Sequence, residues 1–255
     1  MQAMSRRILI VVGHPDPSPD RLCRSLARAY AEGAEQAQHS VRRIDIAAID
    51  FPMLRTMQEF EHGAVPDCLR DAAEAIVWAE HIVFVFPLWL GTMPALLKAF
   101  LEQVMRPGTA FAYPDKGGGF ARTLLRGRSA RVVATMGMPS VLYRLWFFSH
   151  GIAGMRRSIL HFVGIRPVRE TLFGMVAGAS DRTRAKWIGQ MRRLGERGLL
   201  HGDPQTGTFQ APQKGPLLQG LWIDGEFGPH ARPIVTRHVA DKQIFSCLQF
   251  DGQCA

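Results

Sequence analysis

The sequence is poor in cysteine, with four among 255 residues: Cys23, Cys68, Cys247 and Cys254. None sits in a CxxC pair or at Cys/His ligand spacing, which argues against a structural zinc site and predicts no bound metal. Scattered cysteines and the lack of a signal-peptide pattern fit a reducing compartment, so a cytoplasmic protein is expected. The N-terminal apolar run "ILIVVG" is too short for a signal core. No uninterrupted run of 18 apolar residues occurs, because Pro87, Gly91 and Pro94 break the best candidate. Peripheral association with a membrane partner stays open. Internal repeats and low-complexity tracts are absent.

Two phosphate-binding fingerprints are also missing: no GxGxxG follows the first apolar run, and no GxxxxGK[ST] appears. Nor is there a polybasic tail. Lys and Arg number 31 against 22 Asp and Glu, a formal net charge of +9. The excess comes mostly from arginines between Arg122 and Arg197, interleaved with apolar residues and clustered only in pairs such as Arg156-Arg157 and Arg192-Arg193. That pattern describes solvated helix faces better than a polyanion surface, and no nucleic-acid partner is expected.

What is present is a core. With 47% hydrophobic and 21% charged residues, the chain has the composition of a folded domain. "RRILIVVGHP" reads as a buried strand closed by Gly13 and Pro15. A helix follows in "SPDRLCRSLARAYAEGAEQ", with Ser18 as the expected N-cap and Pro19 at the first helical position. "HSVRRIDIAAI" holds a second strand, Ala64 to Ala79 a helix, and "HIVFVF" a third strand, apolar on both faces. Pro94 opens a helix through Val104. "ARVVAT" is a fourth strand and "RPVRETLFGMV" a fifth, separated by helical material around Leu142 to Phe162. A last helix, capped by Ser180 or Asp181, runs to about Leu200. The Gly-rich "KGGGFARTLLRG" follows no strand and reads as a loop or hairpin.

This alternation predicts an α/β, doubly wound, mainly parallel five-stranded sheet over residues 1–200. Residues 201–255 are dense in Gly and Pro, without lasting periodicity, and read as an irregular C-terminal extension, docked or partly disordered. In doubly wound sheets ligands bind outside the C-terminal strand ends, near the switch in strand order. Three loops belong there: His14–Arg21, Pro87–Met93 and Thr135–Tyr143. The first offers helix N–H groups, the Ser18 hydroxyl and the Arg21 cation, a fair anion pocket. The second sets Trp89 beside approachable backbone, suiting a flat, partly apolar heterocycle. The third adds N–H groups near Gly137, with Tyr143 and His150 close in sequence. Plain structural alternatives exist for single residues: a loop hydrogen bond for His14, a packed aromatic for Tyr143, a loop histidine for His150, a carboxylate partner for Lys98.

"FPLWLGTMPALLKAFLEQV" resembles the motif of the flavodoxin-like NAD(P)H:quinone oxidoreductases (DT-diaphorase and its bacterial relatives). "GHPDPSPDRLCRSLA" is similar to that family's first-strand loop, and "FAYPDKGGGFARTLLRGRSARVVATMG" and "SILHFVGIRPVRETLFG" to its later segments. The resemblance spans about Arg7 to Leu200 and implies a three-layer flavodoxin-like fold. It also implies a homodimeric flavoprotein with FAD, or alternatively FMN, reduced by NADPH or NADH and passing two electrons to a quinone or other small acceptor. By position, His14, Ser18 and Arg21 would face the flavin phosphates. Pro87, Leu88, Trp89 and Leu90 would line the isoalloxazine, and Thr135, Met136, Gly137 and Met138 its pyrimidine edge. Tyr143 and His150 would lie near the hydride-transfer face as catalytic residues. "TMGM" replaces the family's usual Thr-Thr-Gly-Gly, so Met138 adds bulk beside the ring. A second reading is a regulatory flavoprotein subunit of a membrane transporter, such as a potassium-efflux system.

Overall fold

A computed structural model describes residues 5–114 and 121–198; the expected extension over 201–255 lies outside the described residues. Its backbone is a five-stranded sheet, all parallel, in the order β2-β1-β3-β6-β7. The strands are β1 (Arg7–Val12), β2 (Ser40–Asp45), β3 (His81–Pro87), β6 (Ser129–Thr135) and β7 (Val168–Phe173). Two short segments, β4 (Phe111–Ala112) and β5 (Arg122–Thr123), pair antiparallel as a separate ribbon. The helices are α1 (Leu22–Gln36), α2 (Met57–His62), α3 (Arg70–Trp78), α4 (Ala95–Val104), α5 (Ser140–Leu145), α6 (His150–Gly154) and α7 (Asp181–Arg197). A π-helical turn, Met155–Leu160, continues α6.

Burial follows strand position. Every residue of β3 and β6 is buried, as two-sided cover requires, whereas edge strand β2 is mostly exposed or half-buried. Along β1 the side chains alternate between layers: Ile8, Ile10 and Val12 pack with residues of α1 and α7, and Leu9 and Val11 with those of α3 and α4. Helices α1 and α7 meet backbone to backbone. A Cβ added at Gly33 would lie 2.0 Å from the Arg192 carbonyl oxygen, and one at Gly195 2.1 Å from that of Tyr30.

Two boundaries and one additional helix differ from the sequence reading. Helix α1 starts at Leu22 with Arg21 at the N-cap and no side-chain cap, so Ser18 does not cap it. Asp16 takes the competing role: its Oδ1 accepts the Ser18 N–H at 2.8 Å and holds Ser18 in a turn ahead of the helix. Helix α3 starts at Arg70, after Pro66 and a 3-10 turn at Asp67–Leu69, and not at Ala64. Helix α2 had not been read from the sequence at all. It carries a full capping box, in which Thr56 Oγ1 accepts the Glu59 N–H at 3.1 Å and Glu59 accepts the Thr56 N–H. For the last helix, α7, Ser180 and not Asp181 is the cap and accepts the Thr183 N–H.

Candidate functional site

Chain order places β2 on one side of β1 and β3 on the other, so the switch point lies between β1 and β3. The three expected loops leave the C-terminal ends of β1, β3 and β6, which are hydrogen-bonded neighbours. The fold therefore brings His14–Arg21, Pro87–Met93 and Thr135–Tyr143 to one edge.

The first loop is organised by Asp16. Its N–H donates to His14 Nδ1 at 3.0 Å, its carbonyl oxygen accepts from Arg24 at 3.0 Å, and its Oδ2 accepts from Arg21 Nε at 2.7 Å. Arg21 is thus ion-paired within the loop. Burial holds the His14 pKa below its ordinary value, ahead of the opposing pull of Asp16. At neutral pH the ring is uncharged; with Nδ1 accepting, its proton sits on Nε2. The His14 ring meets Trp89 edge-on, with centroids 6.2 Å apart, joining the first loop to the second.

Pro87 ends β3 opposite Thr135, and the Leu88 N–H donates to the Thr135 carbonyl at 2.7 Å. Trp89 and Thr92 then exchange backbone hydrogen bonds of 2.9 and 3.0 Å around a two-residue tip. Leu90 and Gly91 at that tip have φ of +47° and +82°, the signature of a type I′ turn. Leu90 is a leucine in left-handed conformation with its side chain fully exposed. Trp89 is half exposed beside it.

The turn is clamped from below. Tyr143 is 1% exposed; its hydroxyl donates to the Gly91 carbonyl at 3.0 Å and accepts the Ile152 N–H at 3.4 Å. Burial raises the Tyr143 pKa, so the phenol keeps its proton for Gly91. Gly151 touches the same turn, because an added Cβ would lie 2.1 Å from the Gly91 oxygen. Tyr143, expected near the hydride-transfer face, is buried with its hydroxyl against the Gly91 turn. His150 is exposed, its ring stacked on Phe148 at 5.8 Å.

In the third loop, Thr135 and Met136 are buried and Gly137 is exposed. Thr135 Oγ1 lies 3.3 Å from the Cys23 sulfur, and burial pushes that thiol up to about 11, which leaves it an inert core group. Half-buried Met138 packs against the core beneath. Its carbonyl accepts the Met175 N–H at 3.1 Å, fixing the loop to the end of β7.

These details decide whether a flavin would fit. A Cβ built at Gly137 meets nothing within 4 Å, so there is open space beside the loop. Among the described residues, the N–H groups of Leu90, Gly91, Gly137 and Met138 have no protein acceptor. The α1 N-terminus has no side-chain cap and no acidic residue in its first turn, leaving it receptive to an anion. Free donors beside an open, aromatic-edged surface, next to an anion-receptive helix end, suit a flat heterocycle carrying a phosphate.

The family model for the flavodoxin-like fold (Flavodoxin_2) matches residues 6–194. The chain belongs to that family. An uncharacterized NAD(P)H oxidoreductase of Haemophilus influenzae is 27% identical over 188 residues, covering 71% of this chain and 89% of that protein. The FMN-dependent NADH:quinone oxidoreductase of Ruegeria pomeroyi is 26% identical over 221 residues, or 80% of this chain and 96% of its own. Among solved structures, the NAD(P)H:quinone oxidoreductase of Methanothermobacter marburgensis superposes with a TM-score of 0.62 at 24% identity, covering 78% of this chain and all of that one. The last is a likeness of fold.

Two further residues, Asp16 and Gly151, shape this flavodoxin-like site. Asp16 was signalled by "HPDPSPD", where an Asp two residues before a Ser-Pro favours an Asx-type turn. Gly151 carried no signal, since a close approach across 60 residues of chain is a tertiary fact. Among the described residues no group of His, Cys, Asp and Glu is arranged to hold a metal, and no helix is long and apolar enough to cross a membrane.

Proposed function

We propose that this protein is a flavin-dependent NAD(P)H:acceptor oxidoreductase that reduces quinones by two electrons in a ping-pong cycle. The observation that carries the reading is the clamped Trp89–Thr92 turn, set against open space and free N–H donors at Gly137–Met138, in a chain whose relatives are named as NAD(P)H and quinone oxidoreductases.

FMN replaces FAD as the favoured flavin, because the Ruegeria relative is named FMN-dependent. The α1 N-terminus, Ser18 and the neutral His14 would hold its phosphate, and Arg21 would contribute only with its charge shared by Asp16. Pro87, Leu88, Trp89 and Leu90 would line one side of the ring, and Thr135 to Met138 its polar edge. Bound flavin supplies the hydride chemistry. The N–H groups of Gly137 and Met138 would stabilise negative charge that develops at that edge. Tyr143 acts as a positioning residue through Gly91, and exposed His150 has access to an incoming acceptor. NADPH or NADH and the quinone would use one open face in turn.

Large apolar side chains stand exposed along and after α5, including Leu145, Trp146 and Phe148, the second of them 74% exposed. Such a run next to the site suits a second copy of the chain, and a homodimer is expected by light scattering. The transporter-subunit reading finds no support in these relatives.

Purified protein should be yellow, bleach under NADPH or NADH without oxygen, and regain colour with a quinone. Chromatography of the released flavin should give FMN. Protein that neither carries nor takes up flavin would sink this reading.

A further inference from the structure

A groove of about 320 Å³ opens beside the first loop, on the α1 side of the sheet. Its charged lining is Arg24, Arg28, Arg43 and Asp45. Arg24 is ion-paired to Asp45, whose Oδ1 also accepts the Ala47 N–H at 3.2 Å. That leaves Arg28 and Arg43, neither of which makes an ion pair among the described residues. Arg24 and Arg28 are one helical turn apart on α1 and share a face. Arg43 reaches the groove from β2, while its neighbour Arg42 turns to the opposite side and lies over the Trp78 ring at 4.4 Å.

Two guanidiniums left over beside one neutralised pair make a site for a doubly charged anion. The rest of the groove narrows the choice. Val12 and Ala27 give it an apolar floor, and Pro17 and Pro19 connect it to the loop assigned to the flavin phosphate. Asp45 ends β2. In Rossmann-type doubly wound sheets, whose Gly-rich fingerprint this chain lacks, a carboxylate at this strand end reads a ribose hydroxyl, or a nearby arginine a ribose phosphate. The same β2-β1-β3 neighbourhood sets Arg43 and Asp45 at the corresponding end here. Here the carboxylate is occupied and the arginines are not. From β6 to β2 is three strand spacings, about 14 Å, within the span of an extended dinucleotide.

We infer that this groove binds the 2′-phosphorylated adenosine end of the electron donor through Arg28 and Arg43, and so selects NADPH over NADH. The inference rests on the reading of the site as a flavin-dependent NAD(P)H oxidoreductase and adds the identity of the donor.

The test uses the full-length holoprotein and isothermal titration with adenosine 2′,5′-bisphosphate, 5′-AMP and inorganic phosphate. The bisphosphate should bind roughly ten- to a hundredfold more tightly than 5′-AMP, the range for charge-assisted contacts to one phosphate. Inorganic phosphate should not match it. Arg28→Gln and Arg43→Gln, both at exposed positions, should each narrow the gap, and together they should bring the NADPH/NADH ratio of kcat/KM close to one. Equal binding of bisphosphate and 5′-AMP, equal binding of inorganic phosphate, or discrimination that survives the double substitution would overturn the inference. The titration needs no turnover. Protein that discriminates the nucleotides but oxidises neither donor would refute the oxidoreductase reading and leave the groove standing.

Discussion

Leu90 offers the sharpest test of the site, because its backbone is strained and its side chain touches nothing. At φ of +47° a leucine Cβ crowds the following carbonyl, which costs about 1–2 kcal/mol. The side chain is fully exposed, so replacing it with glycine forfeits no burial. The opposing effect is the greater freedom that glycine gives the unfolded chain, about 0.4–1 kcal/mol. Leu90→Gly should therefore stabilise the protein by about 0.5–1 kcal/mol, raising Tm by roughly 2–3 °C for a domain of this size. Gly91 supplies the mirror experiment. Its φ is +82° and a Cβ there meets no atom within 4 Å, so Gly91→Ala should lower stability by a similar amount through conformation alone.

Thermal melts and urea titrations of both variants with flavin removed would measure this. Opposite signs of comparable size are required. A fall in Tm for Leu90→Gly, or a rise for Gly91→Ala, would refute the type I′ geometry and with it the clamped platform. Flavin titration extends the test. If the platform presents backbone to the ring, Leu90→Gly should change the flavin dissociation constant by less than about tenfold. A natural sequence that keeps a strained leucine where glycine would be more stable is then keeping it for what the exposed side chain meets, such as the acceptor.

Gly151→Ala would normally strengthen a helix, but here the added methyl meets the Gly91 oxygen at 2.1 Å; overpacking should cost about 2 kcal/mol net, visible as a Tm drop of several degrees and weaker flavin retention. Tyr143→Phe removes the donor to Gly91 and should cost about 1–2 kcal/mol; because the hydroxyl positions the turn, activity should fall without the pH–rate profile changing shape, whereas loss of a limb of that profile would restore an acid–base role. Buried His81, held at 2.9 Å from Ser129 Oγ, has its pKa lowered to about 3, chiefly by burial and then by Arg131. Its folded pKa lies below the unfolded value, so its contribution is fully present above about pH 6.5 and is lost as pH falls toward 3, on the order of a few kcal/mol. Urea midpoints should drop steeply with pH over that window, and His81→Gln should flatten the slope; an unchanged slope would show that other groups carry it.

The architecture was legible because its signals are periodic. "HIVFVF" and "ARVVAT" are apolar on both faces, and both became central strands with every residue buried. The site was legible only to the level of loops. Ser18 looked like a helix cap because Ser-Pro before an apolar stripe is the usual signal, yet Asp16 competes for the same backbone and wins by reaching Ser18, Arg21 and Arg24 together. Thr56 and Glu59 spelled out a capping box for α2, but the helix is six residues long with none buried, so no apolar stripe drew attention to it. The Leu90–Gly91 turn defied sequence reading for a deeper reason. Leucine is a poor predictor of positive φ, and what holds it there comes from Tyr143 and Gly151, more than 50 residues away.

Charge placement connects these points. The chain carries a net charge of +9, yet the first loop is nearly self-neutral, with Arg21 paired to Asp16 and Arg24 to Asp45. A phosphate at the α1 N-terminus would be held mainly by backbone N–H groups and by neutral His14, donors whose strength changes little with pH above the histidine range. Arg28 and Arg43, which make no ion pair among the described residues, lie one step further out. On the proposed function, this separation would let a flavin phosphate and a phosphorylated donor bind side by side without competing for the same guanidinium. It also predicts different salt responses. Donor binding at exposed arginines should weaken as ionic strength shortens the screening length, while flavin retention at backbone donors should hold. Parallel loss of both with added salt would mean that one set of cations serves both anions.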